Sequence, residues 1–224
     1  MLRNLAVKEL HWPEDITIKI LRGQEMAPYL EIAAQWRIQE FKGFPYLYEG
    51  SLEYEAMYMH ECEKNPEAIL IVGERNDEIL GFTTGIPIGT MSDHLQSLRD
   101  KLPNAHEYYY LAECIFSPTV RGRGFAQKGI KLFEGVVKEL GYKKICFLTV
   151  IRDENHPLRP KRYFDKDPIW KRWNYQKTDL ILEFPWPTIQ ADGSVIDFLN
   201  PMRFWEKDIR SDTETSQKVL DAAA

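Results

Sequence analysis

The chain has 224 residues, of which 44% are hydrophobic and 28% charged, a composition typical of one elaborated globular domain. No apolar run reaches the roughly 18 residues that a transmembrane helix needs, and the first twelve residues include charges where a signal peptide would have an apolar block. The three cysteines, Cys62, Cys114 and Cys146, form no CxxC pair, which argues against a disulfide framework and a cysteine-rich metal site. We therefore expect a cytoplasmic protein with reduced, buried thiols.

The charged residues are unevenly distributed, although the net charge is only −5. Residues 121–177 contain 15 Lys or Arg against 6 Asp or Glu, so the remainder of the chain is acidic. A basic segment within an acidic protein indicates that one region binds a polyanion. The alternative is that these basic side chains only solvate a helix and a loop.

The first part of the chain predicts a strand, two helices and a hairpin. Residues 16–20 alternate apolar and polar side chains, the period of a half-buried strand. Residues 25–41 have helical spacing, and a second helix is predicted over residues 51–63 with Ser51 as its N-cap. Residues 68–72 and 79–88 are predicted to form two strands of a hairpin, because a polar turn joins them.

The middle of the chain predicts a buried strand, a glycine-rich turn, a helix and another strand. A surface insertion is predicted over about residues 90–104, which have weak helical character. Residues 107–116 are aromatic and apolar throughout, and the Gly-rich turn 121–124 follows. Apolar residues recur every three or four positions over residues 125–140, which predicts a helix, and residues 144–150 predict the next buried strand.

The last part of the chain is less regular. Residues 152–171 are polar, basic and rich in proline, and an insertion is predicted over about residues 152–168. Two final strands are predicted over residues 177–186 and 202–209, on either side of a turn. Residues 211–224 predict a polar, mobile tail.

The glycine-rich turn is the motif that points to a function. A turn of this kind between a buried strand and a helix places backbone N–H groups at the positive end of the helix dipole, where a phosphate binds. Residues 121–126, RGRGFA, match neither the GxxxxGK[ST] of a P-loop nor the GxGxxG of a dinucleotide site. Their Arg-x-x-Gly-x-Ala pattern resembles the pyrophosphate loop R/Q-x-x-G-x-G/A of the GNAT superfamily of acyl-CoA-dependent N-acetyltransferases.

The order of the predicted elements over about residues 16–209 is also similar to that of this superfamily. The resemblance implies an α/β (α+β) fold class, the GNAT fold, with a mixed central β-sheet of about seven strands flanked by helices around a strand–Gly-rich loop–helix–strand core. It implies a single domain over residues 1–210. Residues 169–175, IWKRWNY, resemble the family's F-Y-x-x-x-G-F segment, with Trp170 where the family often has Tyr. Residues 156–160, HPLRP, are similar to a bacterial GNAT subgroup of unknown substrate.

The resemblance implies an N-acetyltransferase that moves an acetyl or longer acyl group from acetyl-CoA directly to the amine of a small molecule. Acetyl-CoA is then a co-substrate, and no metal is expected, since the five His residues lack metal-ligand spacing. The alternative is a non-catalytic acyl-CoA-binding or regulatory homologue, which Trp170 favours. Nucleic-acid binding is not expected, because the Arg-Gly pair is not part of a repeated tract and the chain is acidic. No membrane partner is expected, and the oligomeric state, monomer or homodimer, stays open.

The resemblance assigns the acyl-CoA site to the end of one strand, the glycine-rich turn and a residue after the next strand. Residues 122–127 would bind the pyrophosphate, the two arginines would add charge, and residues 114–116 would lie beside the pantetheine arm. Asn155, which follows the next strand, is either a pantetheine ligand or a plain turn residue. The assigned residues are Cys114, Ile115, Phe116, Arg121, Gly122, Arg123, Gly124, Phe125, Ala126, Gln127 and Asn155.

Two residues are candidates for proton transfer. Glu113 is the predicted general base, because Leu111 and Ile115, two residues to either side, would give it apolar neighbours on its own face of the strand and raise the pKa of its carboxyl. The alternative is a solvated strand residue on a wet face. Trp170 cannot release a proton, so Tyr163 is the candidate general acid, with a packing role as its alternative.

The predicted acceptor site is acidic and aromatic. The resemblance places a substrate-binding wall at Tyr46, Tyr48, Glu53 and Tyr54. Carboxylate and aromatic side chains suit a cationic amine through charge and cation–π contacts. Alternatively, the same aromatic residues only pack the first two helices.

Overall fold

The computed structural model describes the backbone of residues 8–12 and both backbone and side chains of residues 15–90 and 95–210. The predicted tail, residues 211–224, lies outside the described residues, as do residues 91–94 of the predicted insertion. No helix within this part of the chain combines the length and apolar character that a bilayer crossing requires.

The chain forms two compact units. The first unit contains the described residues of Met1–Tyr29, His60–Ile145 and Asp208–Ala224. The second unit contains Leu30–Met59 and Cys146–Lys207. Each unit is built from segments that are distant in sequence, so its packing depends on long-range contacts.

The first unit contains five strands that neighbour one another in chain order, each antiparallel to the next. The alternation predicted for the second of these strands is confirmed, because Ile16, Ile18 and Ile20 are buried while Thr17 and Lys19 are half-buried. The strands are β1 Lys8–Trp12, β2 Ile16–Arg22, β3 Ile69–Arg75, β4 Glu78–Pro87 and β5 Tyr108–Phe116.

The helices α3 (Gln96–Lys101) and α4 (Phe125–Glu139) belong to the first unit. α4 packs against β4 and β5. The contact is close, because a Cβ atom on Gly85 would lie 2.5 Å from the ring of Phe133. A glycine in β4 therefore lets the apolar stripe of α4 approach the backbone of the sheet.

The second unit contains α1 (Leu30–Phe41) and the larger part of both α2 (Leu52–Lys64) and β6 (Lys144–Val150). It also contains the short helix α5 (Asp167–Arg172). Its remaining strands, β7 (Gln176–Ile189) and β8 (Val195–Asp208), form a long antiparallel hairpin, and the strand order is β6-β8-β7.

An aromatic cluster forms the core of the second unit. Trp205 of β8 is fully buried and stacks on Phe147 of β6, with ring centroids 6.0 Å apart. Its indole Nε1–H donates to Thr149 Oγ1 at 2.9 Å, which satisfies the polar atom of this buried ring. Tyr175 packs edge-on against Phe147. These contacts join β6, β8 and the segment after α5.

Most predicted elements are confirmed within a few residues, but one strand was not predicted and three elements have different bounds. β1 was not predicted, because three of its five residues are polar or charged. The predicted helix over residues 25–41 begins as a 3-10 turn, Gly23–Tyr29, because Pro28 has no N–H to donate to a helical hydrogen bond. β7 and β8 are longer than residues 177–186 and 202–209. Proline is tolerated within β7 because β7 is an edge strand.

Candidate functional site

The glycine-rich turn joins β5 to α4 within the first unit. Ser117 first caps a 3-10 turn, Pro118–Val120, by accepting the backbone N–H of Thr119 on its Oγ at 3.4 Å. Gly122 and Gly124 then have φ angles of 76° and 82°. Only glycine adopts this left-handed region readily, so these two residues allow the chain to turn from the strand into the helix.

Gly124 is the N-cap of α4 and has no side chain that could cap the helix. Its carbonyl accepts the N–H of Lys128 at 3.1 Å, which closes the first helical turn. The N–H groups of residues 125–127 therefore precede the first helical hydrogen bond and lie at the positive end of the helix dipole. A helix end of this kind stabilises a phosphate or another anion.

Two exposed arginines flank this helix end. Arg121 donates from Nε to the carbonyl of Phe116 at 3.0 Å, which ties the turn to the last residue of β5. The guanidinium of Arg123 lies 5.9 Å from the ring centroid of Phe125. Both residues are exposed, so their positive charge reaches solvent at the start of α4. The turn thus joins the predicted pyrophosphate-binding residues to the predicted pantetheine-binding residues of β5.

Glu113 lies in the interior of β5 with only 4% of its surface exposed. Its cross-strand partner in β4 is Thr84, whose hydroxyl donates to the Glu113 carboxylate. Cross-strand partners share a face of the sheet, which brings the two side chains together. The solvated alternative for Glu113 is therefore wrong, since this carboxylate is buried and hydrogen-bonded.

A β-bulge changes the predicted surroundings of Glu113. The register between β4 and β5 shifts after Thr84, so that Gly85 is opposite Leu111 while Thr84 is opposite Glu113. Gly85 faces Phe133 of α4, so its partner Leu111 lies on the α4 face of the sheet. Glu113 lies on the other face. The prediction that Leu111 shares a face with Glu113 is wrong, because a bulge interrupts the period of two.

The remaining assigned residues of β5 lie at its carboxyl end. Ile115 is buried, whereas Cys114 and Phe116 are half-buried. All three cysteines are free thiols, but the prediction that all are buried is wrong for Cys114. The hydroxyl of Thr83 contacts Cys114 Sγ at 3.8 Å. The ring of Phe116 fills the space that a side chain at Gly81 would need, 2.4 Å from a Cβ there.

In the second unit, the aromatic segment 44–48 is fixed by its backbone. The carbonyl of Tyr46 accepts hydrogen bonds from Arg152 Nη2 at 3.1 Å and Trp186 Nε1 at 3.2 Å. Burial raises the pKa of Tyr46 to about 12, and its ring packs on Phe41 with centroids 4.5 Å apart. Tyr48 is buried and forms a β-bridge with Thr188 of β7.

The buried carboxylate of the predicted acceptor region is Glu55, and not the predicted Glu53. Glu53 and Tyr54 are exposed at the start of α2, and the Tyr54 N–H donates to Ser51 Oγ at 3.3 Å. Glu55 is fully buried and forms an ion pair with Arg37 of α1. Burial, followed by a hydrogen bond to Glu55, raises the pKa of Tyr48. The interior carboxylate of this region is thus already paired with a cation.

The candidate acid Tyr163 packs edge-on against Phe44 with ring centroids 4.8 Å apart. The guanidinium of Arg159 lies 4.9 Å from the Tyr163 ring centroid. Burial raises the pKa of Tyr163 above its ordinary value. Asn155 is exposed, and its N–H donates to Asp153 Oδ1 at 2.7 Å. Asn155 therefore lies in a local turn, with its side chain accessible.

Trp170 belongs to the aromatic core of the second unit. Its ring packs on Phe147 with centroids 4.4 Å apart and edge-on against Trp173 at 5.3 Å. Its Nε1 is buried without a hydrogen-bond partner among the described residues. Trp170 thus has a packing role, and its indole offers no titratable proton at neutral pH.

Two residues of these regions were not found from the sequence. Thr84 carried no signal, because its contact with Glu113 depends on the register of β4 and β5. Arg152 appeared only as one of many basic residues. It donates from Nε to the carbonyl of Pro45 at 2.8 Å and from Nη2 to Asn200 Oδ1. Within the described part of the chain, no group of three or more His, Cys, Asp or Glu side chains could hold a metal ion.

Comparison with known proteins gives a family and a fold. The family model described as Acetyltransferase (GNAT) family matches residues 31–160. No curated protein sequence matches the chain. Solved structures match over most of their length but at low identity, so their similarity shows the fold, and it confirms the predicted α/β (α+β) class.

Three of these structures illustrate the similarity. An N-acetyltransferase from Staphylococcus aureus Mu50 has 15% identity and a TM-score of 0.54, with 88% of this chain and 100% of that chain covered. The acetyltransferase candidate yncA from Salmonella typhimurium, solved with its cofactor acetyl-CoA, has 10% identity and a TM-score of 0.53, with 91% and 99% covered. An aminoglycoside 6'-N-acetyltransferase complexed with coenzyme A has 18% identity and a TM-score of 0.51, with 85% and 96% covered.

Proposed function

This chain belongs to the GNAT family of acetyltransferases, and on that premise we propose that it transfers an acetyl group from acetyl-CoA to the amine of a small molecule. The observation that carries the proposal is the glycine-rich turn at the start of α4, whose left-handed Gly122 and Gly124 lead into a helix end suited to a phosphate. Similar structures were solved with acetyl-CoA or coenzyme A, which supports the donor.

The pyrophosphate of acetyl-CoA binds the backbone N–H groups of residues 122–127 in this proposal. Cys114, Ile115 and Phe116 offer backbone groups to the pantetheine arm, and the exposed side chain of Asn155 offers it a further hydrogen bond. Arg121 and Arg123 supply positive charge to a ligand that carries several negative charges. Charge attraction at such exposed positions is screened by salt.

Replacing Arg121 and Arg123 by Ala is therefore expected to weaken CoA binding more at low salt than at high salt. The screening length is about 8 Å at physiological ionic strength and grows as salt is removed. Calorimetric titration of CoA at several salt concentrations measures this dependence. A loss of affinity that is the same at every salt concentration would mean that the arginines act through packing, such as the Arg121 contact with Phe116.

Glu113 acts as the general base. The ammonium of the acceptor must lose a proton before its nitrogen attacks the thioester carbonyl, and the carboxylate of Glu113 accepts that proton, directly or through a water molecule. The C–S bond then breaks and the thiolate of CoA takes up a proton. The hydroxyl of Thr84 holds the carboxylate in one orientation, so Thr84 is a positioning residue.

Tyr163 is proposed as the donor of the proton that the thiolate takes up. Burial raises the pKa of its phenol above the ordinary value for tyrosine, so the phenol stays protonated around neutral pH and can donate. Tyr163→Phe keeps the ring against Phe44 and removes the proton, so kcat should fall while thermal stability is kept. Because the acid stays protonated, kcat of the parent should show no decrease between about pH 6 and 9.

Steady-state kinetics over that pH range checks this prediction. If Tyr163→Phe has the kcat of the parent, Tyr163 has only a packing role and another proton donor must be sought. If kcat and thermal stability fall together, the loss comes from the packing against Phe44 and Arg159 and not from proton transfer.

Tyr46, Tyr48, Glu53 and Tyr54 are proposed to form the acceptor wall. Glu53 and Tyr54 are exposed and can contact an amine from solvent. Tyr48 is buried and hydrogen-bonded to Glu55, so it supports the wall without reaching solvent. Glu53 makes no ion pair or hydrogen bond with the described residues, so its charge is available to a cation. Aromatic rings add cation–π attraction.

A second candidate function is non-catalytic binding of acyl-CoA. Trp170 favours it, because an indole packed on Phe147 stands where the family often has a tyrosine. The purified protein should be incubated with acetyl-CoA and a panel of small amines, and the products identified by mass spectrometry. Acetylation of any acceptor rules out the non-catalytic function. Tight CoA binding with no turnover across the panel supports it.

A further inference from the structure

A group of arginine and aromatic side chains in the second unit includes the candidate acid Tyr163, but its arginines have no role in the function proposed above. Arg159 lies in the HPLRP segment, and its guanidinium is 4.9 Å from the ring centroid of Tyr163 and 5.9 Å from that of Phe44. His156 packs against the same Phe44 ring at 5.6 Å. Arg152 donates to the carbonyls of Pro45 and Tyr46, which follow Phe44. We call these arginines with Phe44, His156 and Tyr163 the Arg159 cluster.

Neither arginine of the Arg159 cluster has an acidic partner among the described residues. Arg152 is half-buried, and its protein acceptors are two carbonyls and the neutral amide of Asn200. Arg159 makes only ring contacts through its guanidinium, with no hydrogen bond from its side chain to any described residue. Two guanidinium groups therefore add positive charge to a partly buried region that lacks a compensating negative charge.

Three of the four carboxylates nearest in sequence accept hydrogen bonds or form ion pairs, and the fourth, Glu154, is exposed. Asp153 Oδ1 accepts the N–H of Asn155 at 2.7 Å, and Asp165 Oδ1 accepts the N–H of Asp167 at 2.9 Å. Asp167 in turn forms an ion pair with Lys177 at 2.5 Å. Asp153 and Asp165 are exposed at turns, and neither forms an ion pair with Arg152 or Arg159 among the described residues.

The imidazole of His156 shows the effect of this excess charge. Its Nδ1 accepts the N–H of Leu158 at 3.2 Å, so the neutral ring carries its proton on Nε2. Burial, followed by the positive charge of Arg152, lowers the pKa of His156, and the carboxylate of Asp153 offsets part of this effect. His156 is therefore a neutral Nε2–H donor at physiological pH, near the cation of Arg152.

Burying a cation without an anionic partner is costly, so an uncompensated guanidinium in a partly buried position indicates that a ligand supplies the anion. The planar donors of Arg159 fit carboxylate and phosphate groups in a bidentate manner, and the rings of Phe44 and Tyr163 hold the guanidinium plane in place. We propose that the Arg159 cluster binds an anionic oxygen group, a carboxylate or a phosphate, of a substrate of the acyl transfer.

This inference rests on the proposed function for the identity of the substrate. The anionic group has two sources in that reaction, the 3′-phosphate of CoA and an acidic group on the amine acceptor. In the second case the acceptor class is an amino acid or another amine that carries a carboxylate or phosphate. Arg159 is a binding residue in both cases, and Arg152 positions the segment that carries Phe44.

Arg159→Gln removes the charge at nearly constant size. Arg162→Gln is the matched control, since Arg162 is exposed three residues away and its side chain makes no hydrogen bond, ion pair or ring contact with the described residues. In the first arm, calorimetry compares CoA with 3′-dephospho-CoA. In the second arm, kinetics compares amino acids with the amines that lack only their carboxylate. In one arm the parent and Arg162→Gln should prefer the anionic ligand by about ten- to hundredfold, and Arg159→Gln should lose that preference.

Arg159→Lys separates charge from packing, because it keeps the cation without the planar fork. It should retain part of the preference, whereas loss of preference and thermal stability in both Arg159 variants would show a packing role and overturn the proposal. An Arg159→Gln variant that behaves like Arg162→Gln in both arms would also overturn it. The arm in which the preference is lost identifies the source of the anion.

The failure of the proposed function gives a different result. A parent that neither binds CoA nor acetylates any amine rejects the acetyltransferase function, and the Arg159 cluster is then tested with inorganic phosphate and acetate. Either anion should raise the midpoint of thermal unfolding more in the parent and Arg162→Gln than in Arg159→Gln. Equal shifts in all three proteins would overturn the anion site.

Discussion

Glu113→Gln is expected to lower kcat by about 10²- to 10⁴-fold and to leave CoA affinity nearly unchanged, because general-base catalysis contributes about that factor. Glutamine keeps the size of the side chain and can still accept the hydrogen bond from Thr84, so β5 keeps its structure. The amide cannot accept a proton from the ammonium. Steady-state kinetics with the best acceptor and calorimetry with CoA measure the two parameters separately.

Two variants serve as controls for Glu113→Gln. Glu78→Gln removes the same charge from the exposed end of β4, where it should leave kcat unchanged. Thr84→Val removes the hydroxyl that orients the carboxylate, and kcat should fall by less than in Glu113→Gln. A Glu113→Gln enzyme with the kcat of the parent rejects the base assignment. Loss of CoA affinity together with thermal stability would instead show that Glu113 holds β5 in place.

Gly124→Val is expected to abolish CoA binding. Gly124 has a φ of 82°, and valine, being β-branched, is strongly disfavoured in the left-handed region. Apart from its chain neighbours, no atom of the described residues lies within 4 Å of a Cβ atom built on Gly124. The cost therefore comes from the backbone conformation and not from a clash. Refolding of the turn into an allowed conformation would move the N–H groups away from the phosphate. Calorimetry with CoA on the folded variant tests this.

Gly135→Ala is the matched control, because Gly135 lies within α4 and also has open space around a built Cβ atom. Its backbone is helical, so alanine should keep CoA binding and stabilise the helix by about 0.5–1 kcal/mol. If Gly124→Val stays folded and binds CoA like the parent, the cofactor site has been assigned to the wrong turn.

The turn and helix that carry the proposed CoA site were predictable because their signals are local. The apolar stripe of α4 repeats at helical spacing, and the Arg-x-x-Gly-x-Ala pattern lies directly before it. Glycine at positions 122 and 124 is the residue type that left-handed backbone in a turn favours. Each of these features depends on residues within a few positions of one another, so a single sequence contains them.

The surroundings of Glu113 were only partly predictable. Its place in a buried strand followed from the run of aromatic and apolar residues. The sequence did not show which side chains lie on the same face of the sheet as Glu113. One bulge between β4 and β5 moves Leu111 to the α4 side and leaves Thr84 as the partner of Glu113. A shift of one residue reverses every face of a strand, and nothing in the strand's own residues sets its register.

The sequence by itself determined the family, the glycine-rich turn and the strand that carries the candidate base, since short-range spacing encodes all three. Only the tertiary structure decided which charges are compensated. Glu55 is neutralised by Arg37, 18 residues away, whereas Arg152 and Arg159 find only carbonyls, an amide and aromatic rings. The energy of a charge depends on its burial and its partners, and long-range packing sets both.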